Sequence, residues 1–144
     1  MIYLSTRPEP PRGIAPGQEA HCISPYLNPA HVLAPPRAWL EALGRGEYPW
    51  AFFRLRYRTL LRERFREEPE PFFRLLDASE GERVLTLACP CGQEHCHGEP
   101  ARDFLETLRG QAPYARWRRL RPARRLPPRL PAGGLALLTL RPGA

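Results

Sequence analysis

The sequence predicts an α/β domain, a small sheet flanked by helices with a Cys-His loop between a buried strand and the helix after it. Three observations point there. Stretches with apolar residues at helical spacing alternate with short apolar runs containing β-branched residues. One of those runs, residues 83–89 (RVLTLAC), is compact, lies between Gly81 and Pro90, and has the character of a strand buried on both faces. A chain of 144 residues with 42% hydrophobic side chains is also long enough for one domain with a real core.

Taken in order, residues 1–5 are short, apolar and partly β-branched or aromatic, which suits a first or edge strand. Residues 6–29 read as loop because of Pro8, Pro10, Pro11, Gly13, Pro16 and Gly17, with His21, Cys22 and Ile23 as a strand fragment at most. Pro35 and Pro36 before residues 37–43, and Gly44 after them, punctuate a helix. From residue 49 to about 67, Trp50, Phe53, Tyr57, Leu60, Leu61 and Phe65 recur at helical spacing. These aromatics read as core rather than as a stacking surface. Between them, Arg54, Arg56, Arg58, Arg62, Arg64 and Arg66 alternate with Glu63, Glu67 and Glu68 as a solvated face. Pro69 and Pro71 break this helix and open a shorter one through Phe72, Phe73, Leu75 and Leu76. Residues 99–109 form the next helix, with Pro100 in its first turn, Phe104, Leu105 and Leu108 on one face, and Gly110 at its end. The expected organisation is a core over residues 1–110, an Arg/Pro-rich segment over 111–133, and a C-terminal strand within 134–144 (LALLTL) that packs back on the core. There is no internal repeat.

No run of about 18 apolar residues is present and the opening residues do not form a secretory signal, so membrane and secreted classes are not expected and the cytoplasm is the expected compartment. All 22 basic residues are Arg, a thermophile-like composition. Residues 1–110 carry 14 Arg against all 15 acids, while residues 111–144 carry eight Arg and no acid, so the whole excess of +7 sits in the last quarter. In a reducing compartment the four cysteines, Cys22, Cys89, Cys91 and Cys96, read as metal ligands or reactive thiols before disulfides.

The most specific stretch is residues 88–100, with Cys89, Cys91, His95, Cys96 and His97 just past a strand end and before a helix, where ligands bind in open α/β sheets. Cys89, Cys91, Cys96 and His97, with His95 as an auxiliary and His21 and Cys22 as distant candidates, are the donor types that hold zinc. Cys96 with His97 is equally a candidate nucleophile pair, since a helix N-terminus lowers a nearby thiol pKa. The spacing His95, Cys96 and Arg102 matches a Cys-dependent phosphatase signature, but Pro100 removes a donor and Glu99 repels an anion, which argues against a phosphate cradle. The bland alternative is a structural loop in which Cys96 and His97 hydrogen-bond to the strand ends.

The order strand, Cys, short gap, Cys-His, helix resembles the domain-of-unknown-function 488 family and its relatives. Residues 23–33 (ISPYLNPAHVL) resemble the segment before that family's first helix, residues 46–57 (GEYPWAFFRLRY) its stretch ending in a Tyr on a long helix, and residues 83–108 its strand, Cys-His loop and last helix. Gly98 stands where the larger family usually has Arg, while a related family carries Cys-His-Gly. The resemblance covers about residues 23–109, leaves the tail outside, and implies a fold and a site with no settled reaction.

In the tail, Arg116, Arg118, Arg119, Arg121, Arg124, Arg125 and Arg129 crowd 14 residues without an acid, an electrostatic footprint for phosphate, with Trp117 or Tyr114 available to stack on a base. Pairing of these Arg with acids of the long helix is the alternative. The leading functional expectation is a nucleic-acid- or nucleotide-associated protein. A small enzyme using Cys96 and His97 on a phosphate- or nucleotide-bearing substrate, and a zinc-stapled interaction module, are the others. The enzyme reading predicts a concave pocket at the Cys-His loop; the interaction reading predicts that the loop is capped. Oligomeric state is not legible.

Overall fold

The structure, a computed structural model, describes residues 1–6, 17–91 and 95–121. It is an α/β arrangement of a three-stranded parallel sheet and five helices: β1 (Ile2–Ser5), β2 (Gln18–Cys22), α1 (Arg37–Gly44), α2 (Trp50–Glu67), α3 (Glu70–Asp77), β3 (Val84–Ala88), α4 (Gly98–Arg109) and α5 (Ala112–Leu120). The strand order is β1-β3-β2, so the most apolar run takes the centre. Its residues pair in register with both neighbours, Leu87 facing Leu4 on one side and His21 on the other. A central parallel strand is covered on both faces, which is why residues 83–89 lack the polar alternation of a half-exposed strand.

The helix boundaries follow the punctuation in the sequence. Proline lies at the N-cap of α1, α2 and α3, where its missing N–H costs no intrahelical bond. Phe53, Tyr57 and Leu61 of α2, fully buried at helical spacing, form the centre of the core with Leu76, Leu85 and Leu105. α4 packs against α2, α3 and β1 and carries Ala101, Phe104, Leu105 and Leu108 into that core.

Two expectations are corrected, and one segment gains an element. Residues 18–22, placed in a loop apart from a short fragment, form a full edge strand, because backbone pairing to β3 supplies what their polar sequence (QEAHC) does not. Arg64, placed on a solvated face, turns inward and donates to the carbonyls of Val32 and Ala34 at 2.8 and 2.6 Å. The start of the Arg/Pro-rich segment is the helix α5, since Pro113 sits in its first turn and Tyr114 and Trp117, three residues apart, stack on Phe73. The expected C-terminal strand, and Arg124, Arg125 and Arg129, lie outside the described residues. Among the described residues no helix is long and apolar enough to cross a membrane.

Candidate functional site

β3 ends at the carboxyl edge of the sheet, and the chain there is pinned on both sides. Ile23 N–H donates to the Ala88 carbonyl at 2.9 Å and Cys89 N–H to the Ser5 carbonyl at 2.8 Å. Cys89 is thereby fixed between the ends of β1 and β2 and is buried. Cys91 follows one residue past Pro90, and Cys96 lies just before α4, both half-buried. The three Sγ atoms lie within 4.8 Å of one another. Gly98 permits the approach of Cys96: a Cβ there would stand 3.4 Å from that sulfur and 3.2 Å from Leu4 Cδ2.

The first turn of α4 is fully engaged. Gly98 N–H donates to Cys96 Sγ at 3.4 Å, Glu99 N–H to the Cys96 carbonyl, Pro100 has no N–H, and Ala101 N–H goes to the His97 carbonyl. The Cys96 thiol is drawn down to about 6, first by the hydrogen bond from the Cys89 thiol and further by Gly98 N–H and Cys91, against the opposing effect of burial. Cys89 moves the other way: its hydrogen bond to Cys96, its burial and the neighbouring sulfur charges all hold its proton on.

His97 is buried beside the trio rather than within it. Its Nε2 lies 2.8 Å from the Ile23 carbonyl, which can only accept, so Nε2 carries the proton. Burial lowers the His97 pKa and keeps the ring neutral. Nδ1 therefore presents a lone pair, 3.6 Å from Cys89 Sγ. The ring edge of Tyr57 packs against it. His95 stacks on Trp50 at 4.9 Å between ring centroids.

A cavity of about 310 Å³ opens at this loop. Cys89, Cys91, His95 and His97 line it together with Ser24 and an apolar wall of Tyr26, Leu27, Leu40 and Pro90. Of the sequence candidates, the structure thus brings Cys89, Cys91 and Cys96 together, with His97 touching Cys89 and His95 at the cavity wall. His21 and Cys22 do not join: His21 bonds His31 and Glu19. Arg102 lies on α4 near Asp103, and the consumed N–H groups leave no phosphate cradle behind the phosphatase-like spacing.

The basic candidates divide. Arg118 and Arg121 pair with Glu80 and Asp77, while Arg116 and Arg119 are exposed without an acidic partner among the described residues. Tyr114 is buried, and Trp117 is half-buried against Phe73 with the Arg121 guanidinium over its ring, so neither ring is presented for stacking on a base. Sequence reasoning missed a second polar cluster, the chain Glu19, His21, His31, because its members are polar residues of an unrecognised strand and a loop. The alternation Glu19, Ala20, His21 was the available signal, since it puts both polar side chains on one face of a strand. Compared with protein-family models, with curated proteins and with solved structures, the chain matches none.

Proposed function

We propose that the protein is a thiolate metal-centre protein, in which Cys89, Cys91 and Cys96 hold one zinc-type ion beside a cavity of small-molecule size. The observation that supports this reading is the convergence of three sulfurs from one eight-residue stretch, residues 89–96, at the carboxyl end of a parallel sheet. Zinc bound at about 2.3 Å by thiolates needs sulfur–sulfur edges of roughly 3.8 Å, so sulfurs within 4.8 Å need close by only a small movement. Three protein ligands with an adjoining cavity are the pattern of a catalytic rather than a closed structural site. His97 supports it from beside the trio. Its Nε2–H, anchored on Ile23, orients a neutral ring whose Nδ1 lies 3.6 Å from Cys89 Sγ. The shared order of strand, Cys, Cys-His and helix is the ground for setting the chain beside the domain-of-unknown-function 488 family and its Cys-His-Gly relatives.

Metal analysis after reconstitution in zinc under reducing conditions tests the reading. The expected result is about one equivalent per chain, lost in Cys91→Ser and Cys96→Ser and kept in Cys22→Ser. A metal-free protein in which Cys96 alkylates selectively at neutral pH would overturn it in favour of a nucleophilic Cys96. A second reading, association with nucleic acid, is supported by Arg116 and Arg119, which are exposed and have no acidic partner among the described residues. Its test is oligonucleotide affinity against salt, with a log–log slope of about −3 to −6 that becomes shallower when Arg116 and Arg119 are replaced by Gln. Salt-independent binding would exclude it.

A further inference from the structure

A site just past a parallel strand and before a helix is ordinarily read as an anion site, because the helix offers unpaired N–H groups. Here that offer is withdrawn. The N–H groups of Gly98, Glu99 and Ala101 are all taken by Cys96 and His97, and Pro100 has none. Although the chain has 22 basic residues, no Arg lines the 310 Å³ cavity among the described residues. Its chemistry-bearing side chains are the thiols of Cys89 and Cys91, the imidazoles of His95 and His97 and the hydroxyl of Ser24.

The walls instead suit a flat, uncharged molecule. Tyr26 and Leu27 at the cavity are large apolar side chains that remain 49% and 59% exposed, although the Arg37 guanidinium stands over the Tyr26 ring at 4.6 Å from its centroid. His95 presents a second flat surface, backed by Trp50, and its ring nitrogens have no hydrogen-bond partner among the described residues. A volume near 310 Å³ is at the lower end of small-molecule sites, which run from about 300 to 1,000 Å³.

We infer that the cavity beside the thiol centre binds a small uncharged heteroaromatic compound and rejects its phosphorylated or carboxylated counterparts. This names a ligand class for the metal-centre site of the preceding section and rests on that reading. Apolar and aromatic walls take the ring, and the unpartnered nitrogens of His95 meet its polar edge. A phosphate ester would enter a space whose described lining holds no Arg and beside which the helix N–H groups are taken, and the cost of a poorly compensated charge there exceeds the roughly 1.4 kcal/mol that corresponds to tenfold in affinity.

Titration of the reduced protein, with and without one equivalent of zinc, tests the inference by amide NMR. The probes are nicotinamide, uracil and adenine, each beside a charged counterpart: nicotinate, uridine monophosphate and adenosine monophosphate. At least one neutral ring is expected to shift the amides of residues 24–27 and 91, with its charged counterpart weaker by roughly tenfold or more. Tyr26→Ala, at an exposed position that the core does not need, is expected to weaken the neutral ring while leaving the fold intact. Silence of all three neutral rings, or a charged counterpart that binds as well as its neutral partner, would overturn the inference. Zinc bound without any ring binding counts against the ligand class alone. Ring binding without zinc counts against the metal centre alone.

Discussion

Tyr57 Oη donates to the Leu33 carbonyl at 2.5 Å in a fully buried setting, and with the Arg64 bonds to Val32 and Ala34 it ties the long helix to the loop beside the sheet. Burial raises the Tyr57 pKa, so the hydroxyl keeps its proton and remains a donor. Tyr57→Phe leaves the carbonyl unpaired in the core, and the expected loss is about 1–3 kcal/mol, measured as a lower urea midpoint at unchanged slope. An unchanged midpoint would show that the carbonyl finds another partner. His97 carries a double role of the same kind. His97→Leu fills the space but orphans the Ile23 carbonyl and removes the lone pair that faces Cys89. The expectation is a similar loss of stability together with a zinc affinity lower by about 10–100-fold, read by competition with a chromophoric chelator. A stability loss with no change in zinc affinity would confine His97 to a structural role.

Among the elements, β2 and the loop after it are joined by a directional chain. Leu33 N–H donates to His31 Nδ1 at 3.1 Å, which puts the His31 proton on Nε2. His31 Nε2–H then donates to His21 Nδ1 at 3.0 Å, and His21 Nε2–H to Glu19 at 2.6 Å. Every ring nitrogen is satisfied only while both rings are neutral. Burial, then the nearby His21 and Arg64, lower the His31 pKa from 6.5 to about 4. Between those values the unfolded chain binds more protons than the folded one, so stability falls as pH falls from about 6.5 to about 4 and levels off below. The expected contribution, reduced for partial solvent access, is about 2 kcal/mol. Urea midpoints of the wild type and His31→Gln at pH 7 and pH 4.5 check it: the variant should lose part of the acid sensitivity, and equal sensitivity would refute the assignment.

α5 is held by a different device. Asp77, buried at the end of α3, takes Arg83 at 3.2 Å and also Arg121, while Glu80 takes Arg109, Arg118 and the Tyr114 hydroxyl. Asp77→Ala removes the shared acceptor and leaves two half-buried guanidiniums unpaired. The expected cost is about 1–3 kcal/mol, with a red shift of tryptophan emission as Trp117 loses its packing. Unchanged emission and stability would mean that stacking on Phe73 alone holds the helix.

For the molecule as a whole, metal and fold are linked by mass action if the thiol centre binds zinc. At free zinc about 100 times the dissociation constant, binding contributes about 2.7 kcal/mol to the folded state. A chelator should then lower Tm by roughly 5–10 °C for a chain of this size, and the three-cysteine variants should show no such drop. A Tm indifferent to chelator after zinc loading would place the ion, if bound, outside the folded domain.

Much of this architecture was legible from local signals. Prolines at the N-caps of α1, α2 and α3, and glycine at the C-cap of α4, marked helix boundaries, and the unbroken apolar character of residues 83–89 marked the central strand, because backbone geometry and burial on two faces act directly on residue type. The Cys-His loop was legible as a candidate site for a related reason: it gathers thiols and imidazoles at a strand-to-helix junction. What sequence could not contain was distance. That Cys91 and Cys96 meet Cys89 while Cys22 stays apart depends on where the loop closes over the sheet edge. That the helix N-terminus has no free N–H depends on Cys96 and His97 folding back on it. The polar strand β2 exists because β3 pairs with it, and Arg64 turns inward because two carbonyls of a distant loop await it. Local composition determines which elements form, since propensity and capping act within a few residues. The site's chemistry was decided only by tertiary structure, since the protonation, pairing and charge of each group depend on neighbours far along the chain, as His97 depends on Ile23, 74 residues away.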